Sequence, residues 1–280
     1  MVRTLAIMSE KGGSGKTTTA VNLSVALAKL GKRVLLIDSD PQGNATLVML
    51  KGEPPDIPNL YHVLMQEADA AEAIRKTGTP RLDVVPAATE LADANVELAS
   101  EPGRERRLIM AMRDIQAYDL VIVDTPPQRT IVNFNVLNYV SEVLVTVDPG
   151  VFSLAGLAKL QAAVGQAARA LDNRALRISG LVLTQVQANN LCRDIEQELR
   201  SSFGTLVHKT VIPASVKIGE ATARFKSVLD WAARSPGALA YRALAKEVLK
   251  NATSKRSGHG SDRGVSVDDT DGAGRERRAG

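Results

Sequence analysis

The sequence has little cysteine, few aromatic residues and no long apolar run. Its single cysteine, Cys192, excludes an internal disulfide and any metal or iron–sulfur site built from several cysteines of one chain. Aromatic residues make up 3%, so stacking of bases on exposed rings is not expected to be a main mode of recognition. The apolar runs are too short to cross a bilayer, and no signal peptide precedes the first predicted strand. We therefore expect a cytoplasmic protein of bacterial type with no membrane partner.

A strong excess of one charge is also missing. The 280 residues carry 35 basic and 31 acidic side chains, which gives a net charge of +4 and a pI near 9.2. This balance permits a local patch that binds nucleic acid but does not require one. Hydrophobic residues make up 44%, enough for a sizeable core.

Short apolar runs alternate with stretches whose apolar residues recur at helical spacing. This alternation is typical of an α/β fold with a doubly wound, mostly parallel sheet flanked by helices. The predicted strands are residues 4–8, 34–38, 82–86, 120–124, 143–147, 178–184 and 206–212, and the predicted helices are residues 18–30, 59–66, 68–76, 104–115, 153–171 and 191–203. We expect residues 1–250 to form one domain. Residues 251–280 are rich in glycine and charge without an apolar period, which predicts a disordered polar tail.

A glycine-rich loop stands between the first predicted strand and the first predicted helix. It reads Lys11-Gly12-Gly13-Ser14-Gly15-Lys16-Thr17-Thr18. Glycines let backbone N–H groups curl around an anion, and the helix N-terminus adds positive potential. Lys16 supplies a charge for phosphate, and Thr17 a hydroxyl for Mg²⁺. The usual P-loop pattern fails, because Glu10 stands where a glycine is required, and Lys11 is an additional lysine.

Carboxylates follow two other predicted strands. Asp38 and Asp40 end the second, and Asp124 ends the run Val121-Ile122-Val123 in a Walker B pattern. Since the carboxyl ends of parallel strands share one edge of the sheet, all three should lie beside the glycine loop. Carboxylates there can order water or a hydrated Mg²⁺.

These motifs together resemble the deviant Walker A ATPases of the ParA/Soj/MinD group, and among them the ParA/Soj partition ATPases most closely. The resemblance covers residues 4–250 and rests on KGGSGKTTTAVNLSVALAKLGKRVLLIDSDPQGNAT, ELASEPGRERRL, VIVDTPP, KTVIPASVKIGEA and RSPGALAYRALAKEV, in that order. It implies a P-loop fold and an ATPase that uses ATP and Mg²⁺, with slow, partner-stimulated turnover.

The resemblance also implies roles for individual positions. Lys11 would be the signature lysine that reaches the partner's phosphates in an ATP-sandwich homodimer, with Gly12 in the dimer seam. Lys16 would hold the β- and γ-phosphates, Thr18 the α-phosphate and Thr17 the metal. Asp40 would orient the attacking water, while Asp38 and Asp124 would act through hydrated Mg²⁺. Pro213 and Ser215 would border the adenine, although relatives commonly have asparagine in place of Ser215. The residues implied in nucleotide binding are Lys11, Gly12, Gly13, Ser14, Gly15, Lys16, Thr17, Thr18, Pro213 and Ser215.

The expected DNA contacts depart from the pattern of relatives. Lys217 falls at a position that contacts non-specific DNA in Soj-like proteins. The other usual arginine is missing, because residues 187–191 are one residue short; Arg193 could replace it from the next helical turn. Asp148-Pro149-Gly150 is a further departure.

The resemblance favours a nucleoid-associated ATPase that segregates a plasmid or chromosome. An ATP dimer would bind DNA without sequence preference and be released when a ParB-type or other adaptor protein stimulates hydrolysis. The alternatives are a positioning ATPase for a protein cargo, such as a microcompartment or chemoreceptor cluster, and a MinD-like division-site regulator. The last would need an amphipathic C-terminal helix, and residues 251–280 lack an apolar face. An iron–sulfur reductase conflicts with the single cysteine, and the segments after residue 184 argue against a small-molecule kinase or amidoligase.

Overall fold

The computed structural model describes residues 2–9, 11–127, 130–150 and 154–254. The predicted tail lies outside the described residues from residue 255 onward, whereas residues 251–254 continue the last helix. In the part of the chain that the structure describes, no helix is both long enough and apolar enough to cross a membrane.

The described residues form a mostly parallel seven-stranded sheet in the order β3-β4-β2-β5-β1-β6-β7. Only β3 runs antiparallel to its neighbour. The strands are β1 (Arg3–Met8), β2 (Val34–Asp38), β3 (Arg75–Lys76), β4 (Leu82–Val85), β5 (Leu120–Asp124), β6 (Glu142–Val147) and β7 (Arg177–Leu183). The predicted α/β fold class is confirmed.

Helices cover both faces of this sheet. They are α1 (Lys16–Lys29), α2 (Asn44–Met49), α3 (Leu60–Met65), α4 (Ala70–Ala73), α5 (Ala94–Glu97), α6 (Arg107–Ala111), α7 (Ile131–Tyr139), α8 (Leu154–Ala170), α9 (Asn190–Phe203), α10 (Val216–Thr222), α11 (Val228–Trp231) and α12 (Pro236–Ser254). Short 3₁₀ turns cover Thr89–Ala92, Leu98–Ser100, Arg104–Arg106 and Gly204–Leu206.

The core consists of two apolar clusters, one on each face of the sheet. Alternate residues of one strand enter different clusters: in β2, Leu35 and Ile37 belong to one, and Val34 and Leu36 to the other. The first cluster packs under α3–α9, and the second under α1, α2 and α10–α12. Burial on both faces explains why the central strands are continuously apolar.

The strand predicted at residues 206–212 is wrong. Within this segment, Val207 makes an isolated parallel bridge to Leu181 of β7, and the N–H groups of His208 and Ile212 donate to β7 carbonyls, but no continuous ladder forms. The backbone N–H groups of Lys209 and Thr210 instead donate to the carboxylate of Glu247 on α12, at 2.7 and 3.1 Å. A side chain from a distant helix therefore takes donors that a regular ladder would need.

Two predicted helices are shorter than expected. Within residues 68–76, α4 ends at Ala73, and the chain turns into β3, where Arg75 and Lys76 pair with β4. Lys76 forms a 2.8 Å ion pair with Asp83 on that neighbour. Within residues 104–115, a 3₁₀ turn leads into α6, which ends at Ala111. The predicted helices at residues 153–171 and 191–203 are confirmed as α8 and α9.

Candidate phosphate and metal site

The glycine-rich loop connects β1 to α1 at the carboxyl edge of the sheet. Two serine hydroxyls fix the start of the loop. Ser9 and Ser14 both donate to the carbonyl oxygen of Lys11, at 2.7 and 3.1 Å. Gly13 and Gly15 have φ of +77°, a conformation that favours glycine over residues with a Cβ. Gly12 differs, because a Cβ added there meets no described atom within 4 Å. No contact within the described chain therefore requires glycine at position 12.

Lys16 is the first residue of α1, and its side chain lies inside the loop. It is 7% exposed, and its ammonium donates to the hydroxyl of Ser9 at 3.1 Å. Burial lowers the pKa of Lys16, while the carboxylates of Asp124 and Asp40 act in the opposite direction. The loop therefore holds a cation in a partly dehydrated place, where its interaction with an anion is stronger than in water.

Asp38 and Asp124 lie side by side at the ends of β2 and β5. They are register partners, and both are fully buried. Asp38 accepts three hydrogen bonds: from the backbone N–H and the hydroxyl of Thr46, each at 2.8 Å, and from the N–H of Asp40 at 3.2 Å. Burial nevertheless raises the pKa of Asp38 to about 6.

Asp124 has no comparable set of donors. In the described part of the chain, neither of its carboxylate oxygens has a hydrogen-bond partner of ordinary geometry. Burial raises the pKa of Asp124 well above its usual value and Asp38 raises it further, whereas the hydroxyl of Thr17 lowers it. A buried carboxylate in this state is costly unless a cation approaches it.

Asp124 therefore fits a divalent cation better than Asp38 does. Among the described residues, no group of three or more His, Cys, Asp or Glu side chains could hold a metal alone. This agrees with Mg²⁺, which usually keeps several waters and binds one or two protein oxygens together with phosphate. The hydroxyl of Thr17 and the carboxylate of Asp124 supply such oxygens, while both oxygens of Asp38 already accept hydrogen bonds.

Asp40 lies two residues beyond the end of β2 and is half-buried. One of its oxygens accepts a hydrogen bond from the backbone N–H of Gln42 at 3.0 Å, which holds the following turn. Its charge acts on the pKa of both Lys16 and Asp124, so it belongs to the same electrostatic group.

Three further residues, none of them predicted from the sequence to do so, hold the loop. The hydroxyl of Thr184 donates to the carbonyl of Ser14 at 2.9 Å. The Gln185 amide donates to the carbonyl of Gly13 at 2.7 Å and to the Asp148 carboxylate at 2.9 Å. These three residues directly follow β6 and β7, so the rule that identified Asp38 and Asp124 could have found them. The contact with Gln185 also gives a physical reason for the unusual Asp148.

The residues predicted near the adenine and the DNA lie outside the loop. Pro213 bridges to Val186 just beyond β7, and Ser215 precedes the first turn of α10. Lys217 and Arg193 stand on different helices and are paired locally, Lys217 with Glu220 and Arg193 with Asn190.

Comparison with known proteins gives consistent results in sequence and structure. The AAA domain family matches residues 2–178. The chain is 39% identical over 252 residues to the chromosome partitioning protein ParA of Caulobacter vibrioides, with 89% of this chain and 94% of that protein covered. It is 41% identical over 254 residues to the sporulation initiation inhibitor protein Soj of Bacillus subtilis, with 90% and 100% covered.

Solved structures share the same fold. Cobyrinic acid a,c-diamide synthase from Mycobacterium smegmatis, with bound ADP and magnesium, has a TM-score of 0.78 at 28% identity, covering 91% of this chain and 97% of that chain. The septum site-determining protein MinD from Pyrococcus horikoshii, complexed with Mg-ADP, has a TM-score of 0.73 at 27% identity, covering 91% and 99%. Both neighbours therefore hold a magnesium nucleotide.

Proposed function

Because this chain belongs to the ParA/Soj family of partition ATPases, we propose that it hydrolyses ATP, with Mg²⁺, in a cycle of partition or positioning. The observation that carries this proposal is the buried, unpartnered carboxylate of Asp124 beside Lys16 and Thr17. A magnesium nucleotide supplies the two charges that this arrangement lacks: an anion for Lys16 and a cation for Asp124.

Each group of the site has one task. Lys16 and the backbone N–H groups of residues 12–18 bind the phosphates, and Thr17 with Asp124 holds Mg²⁺. When bound there, the ion would supply positive charge that offsets the charge of the phosphates. Asp38 holds the turn after β2 through Thr46 and the N–H of Asp40, and so positions Asp40. Asp40 orients the attacking water, and Pro213 and Ser215 border the adenine.

The nucleotide lies between two copies of the chain. Lys11 is exposed, and among the described residues its ammonium makes no hydrogen bond or ion pair; only its carbonyl oxygen is held, by Ser9 and Ser14. Its side chain is thus available to the phosphates of a second copy. Gly12 has open space around it in one copy, and close approach of a partner's backbone gives a reason for glycine there. Dimerisation in this form depends on bound ATP.

The ATP dimer binds DNA without sequence preference and thus associates with the nucleoid, and a ParB-type or other adaptor stimulates hydrolysis and release. Lys217 and Arg193 are the first candidates for DNA contacts, because both side chains are exposed. The cargo is a plasmid or chromosome, and a protein cargo is the second candidate. The cobyrinic acid a,c-diamide synthase is 28% identical, whereas the ParA and Soj proteins are 39% and 41% identical over most of the chain, which favours partition.

The experiment compares three lysine variants. With a non-hydrolysable ATP analogue and Mg²⁺, Lys16→Ala should weaken nucleotide binding about 10- to 100-fold, because it removes charge-assisted hydrogen bonds. Lys11→Ala should keep nucleotide binding by one copy but lose the dimer, measured by light scattering after gel filtration. Lys29→Ala, which removes an exposed ion pair with Asp230, is the control and should change neither. If Lys11→Ala dimerises as well as the unchanged protein, the proposed contact of Lys11 with the nucleotide of the second copy is refuted.

A further inference from the structure

A groove lies at the amino edge of the sheet, opposite the edge that carries the glycine loop. It encloses about 320 Å³ between α6, the end of α7 and the start of β1. Its apolar wall includes Ile109, Met110, Ile115 and Tyr139. Ile109 and Met110 are 38% and 48% exposed, so large apolar side chains of α6 face solvent here. We call this surface, together with Arg106 and Arg113 that also line it, the amino-edge groove.

The two arginines give the amino-edge groove a positive charge. Both are exposed, and among the described residues neither guanidinium makes a hydrogen bond or an ion pair. Each has an acidic neighbour in the chain, Glu105 and Asp114, but neither of these residues lines the groove. A segment that fills the groove should therefore be apolar where it meets α6 and acidic where it meets the arginines.

The chain beyond α12 contains one segment of this kind. Residues 265–271 read Val-Ser-Val-Asp-Asp-Thr-Asp, and their two valines are the only apolar residues larger than alanine within residues 255–280. Side chains alternate along an extended chain, so positions 265, 267, 269 and 271 would share one face, two valines followed by two aspartates. The rest of residues 255–280 carries six basic and two acidic side chains, so an excess of negative charge is confined to this segment.

The segment starts close enough to reach the amino-edge groove. The carbonyl oxygen of Val248 on α12 accepts a hydrogen bond from the guanidinium of Arg3 at 2.7 Å, and both chain neighbours of Arg3 line the groove. From Val248 to the end of α12 at Ser254 is about 9 Å along the helix axis. Residues 255–264 can span about 33 Å when fully extended, which is more than the length of helix that they must retrace.

The tether compensates for the small size of such a contact. A short flexible linker gives the attached segment an effective concentration in the millimolar range. A segment that binds as a free peptide with a Kd of about 1 mM is then docked for about half of the time. Two valines on an apolar wall and two ion pairs therefore need only a weak intrinsic affinity.

We propose that residues 265–271 dock into the amino-edge groove of their own chain, with the valines against α6 and the aspartates on Arg106 and Arg113. The inference goes beyond the proposed function and does not depend on it, because the groove and the glycine loop lie at opposite edges of the sheet. A tail without structure of its own, as the composition predicts, can still order locally when it binds. Since its ion pairs are exposed, docking weakens as the salt concentration rises.

The test uses the full chain with one cysteine in the groove and one in the tail. Under oxidised glutathione, Met110→Cys with Val267→Cys should form a disulfide within one chain, identified by mass spectrometry of the linked peptides. The control pair is Val216→Cys with Val267→Cys, since Val216 is 79% exposed and begins α10 beyond the carboxyl end of β7. The groove pair should react about 10-fold faster, because docking holds its thiols together, whereas the control thiols meet only at the concentration that the linker sets. Cys192 is buried and is common to both variants.

An exchange of charges tests the aspartates. In the groove pair, Arg106→Glu with Arg113→Glu should slow disulfide formation about 3- to 10-fold, because two exposed ion pairs are replaced by like charges. Asp269→Arg with Asp271→Arg should slow it by a similar factor. All four substitutions together should restore the rate, which a misfolded variant could not do, and an unchanged Tm checks the fold of each variant.

Equal rates in the groove pair and the control pair would overturn the inference, as would a fourfold charge variant that stays as slow as the two separate ones. A disulfide that links two chains and increases with protein concentration would refute docking within one chain and assign the groove to the tail of a second copy. The assay contains no nucleotide, so a negative result leaves the proposed function unaffected, and a failure of ATP binding leaves this inference unaffected.

Discussion

Replacing Asp124 by asparagine should have opposite effects on the free and the nucleotide-bound protein. The side chain is fully buried at the end of β5, and among the described residues its oxygens have no hydrogen-bond partner of ordinary geometry. Lys16 offsets its charge only in part, so without a bound divalent cation the buried carboxylate destabilises the fold. Asparagine has nearly the same shape and no charge, so the nucleotide-free variant should be more stable than the unchanged protein.

The neighbouring Asp38 sets the scale of this effect. Its pKa is raised from 3.8 to about 6 despite three donors. A pKa raised this far corresponds to a cost on the order of 3 kcal/mol at neutral pH. Asp124 is buried to the same degree without those donors, but asparagine still buries polar atoms. We therefore expect a gain of about 1–3 kcal/mol in the free energy of unfolding, which raises Tm by roughly 2–10 °C.

The gain should depend on pH with a definite sign. A carboxyl group with a raised pKa binds its proton more tightly in the folded than in the unfolded chain. It therefore costs stability as pH rises from the unfolded value of 3.8 through the folded value, which is about 6 for Asp38 and also well above 3.8 for Asp124. The advantage of Asp124→Asn should be largest near neutral pH and should disappear toward pH 4.

The assay is thermal unfolding in EDTA, in ADP with EDTA, and in ADP with Mg²⁺. At about 100 times Kd, a ligand adds about 2.7 kcal/mol to the unchanged protein. Asp124→Asn should lose the part of that gain that depends on Mg²⁺. The control, Asp119→Asn, alters an exposed carboxylate paired with Arg33 just before the same strand, and should cost about 0–1 kcal/mol without affecting Mg²⁺. A less stable apo variant, or an intact Mg²⁺ effect, would refute the reasoning.

Three more predictions concern single residues. Asp40→Ala should slow ATP hydrolysis about 10²- to 10⁴-fold, because the attacking water loses its orienting group, and should accumulate ATP-bound dimer in gel filtration; wild-type phosphate release would remove Asp40 from this role. Lys217→Glu should weaken ATP-dependent DNA binding and lower the salt slope by about 0.9 in a titration with duplex; equal retention on DNA would place the contact elsewhere. Gln185→Ala removes a 2.7 Å hydrogen bond to the loop and should raise the Kd for ATP about 2- to 10-fold in calorimetry, whereas an unchanged Kd would show that the loop holds its shape without it.

Local patterns were sufficient to locate most of the fold and the glycine loop. A strand buried on both faces must be apolar at every position, so β1, β2 and β5 stand out in the sequence. Helices α8 and α9 were predicted because apolar residues at helical spacing reveal the buried side. The strand at residues 206–212 was predicted wrongly. The carboxylate of Glu247, which accepts hydrogen bonds from the backbone of this segment, lies far along the chain.

The candidate site shows the same division between local and distant information. Spacing after the strands predicted that Asp38 and Asp124 would meet, since parallel strands end at one edge. It could not distinguish the two, because Asp38 accepts hydrogen bonds from Thr46 of the next helix, while Asp124 has no hydrogen-bond partner of ordinary geometry among the described residues. That difference makes Asp124 the better candidate for the metal.

The sequence by itself determined the predicted chemistry of the loop, since glycines, a lysine and a threonine in this order after a strand are typical of a phosphate-binding loop. Tertiary structure alone decided how the loop is held and how the charges around it are balanced. Gln185 reaches Gly13 across 172 positions of the chain, and Trp231 reaches Glu220 on a different helix. Such contacts depend on how helices pack against the sheet, which no short stretch of residues specifies, because packing is set by the whole core at once.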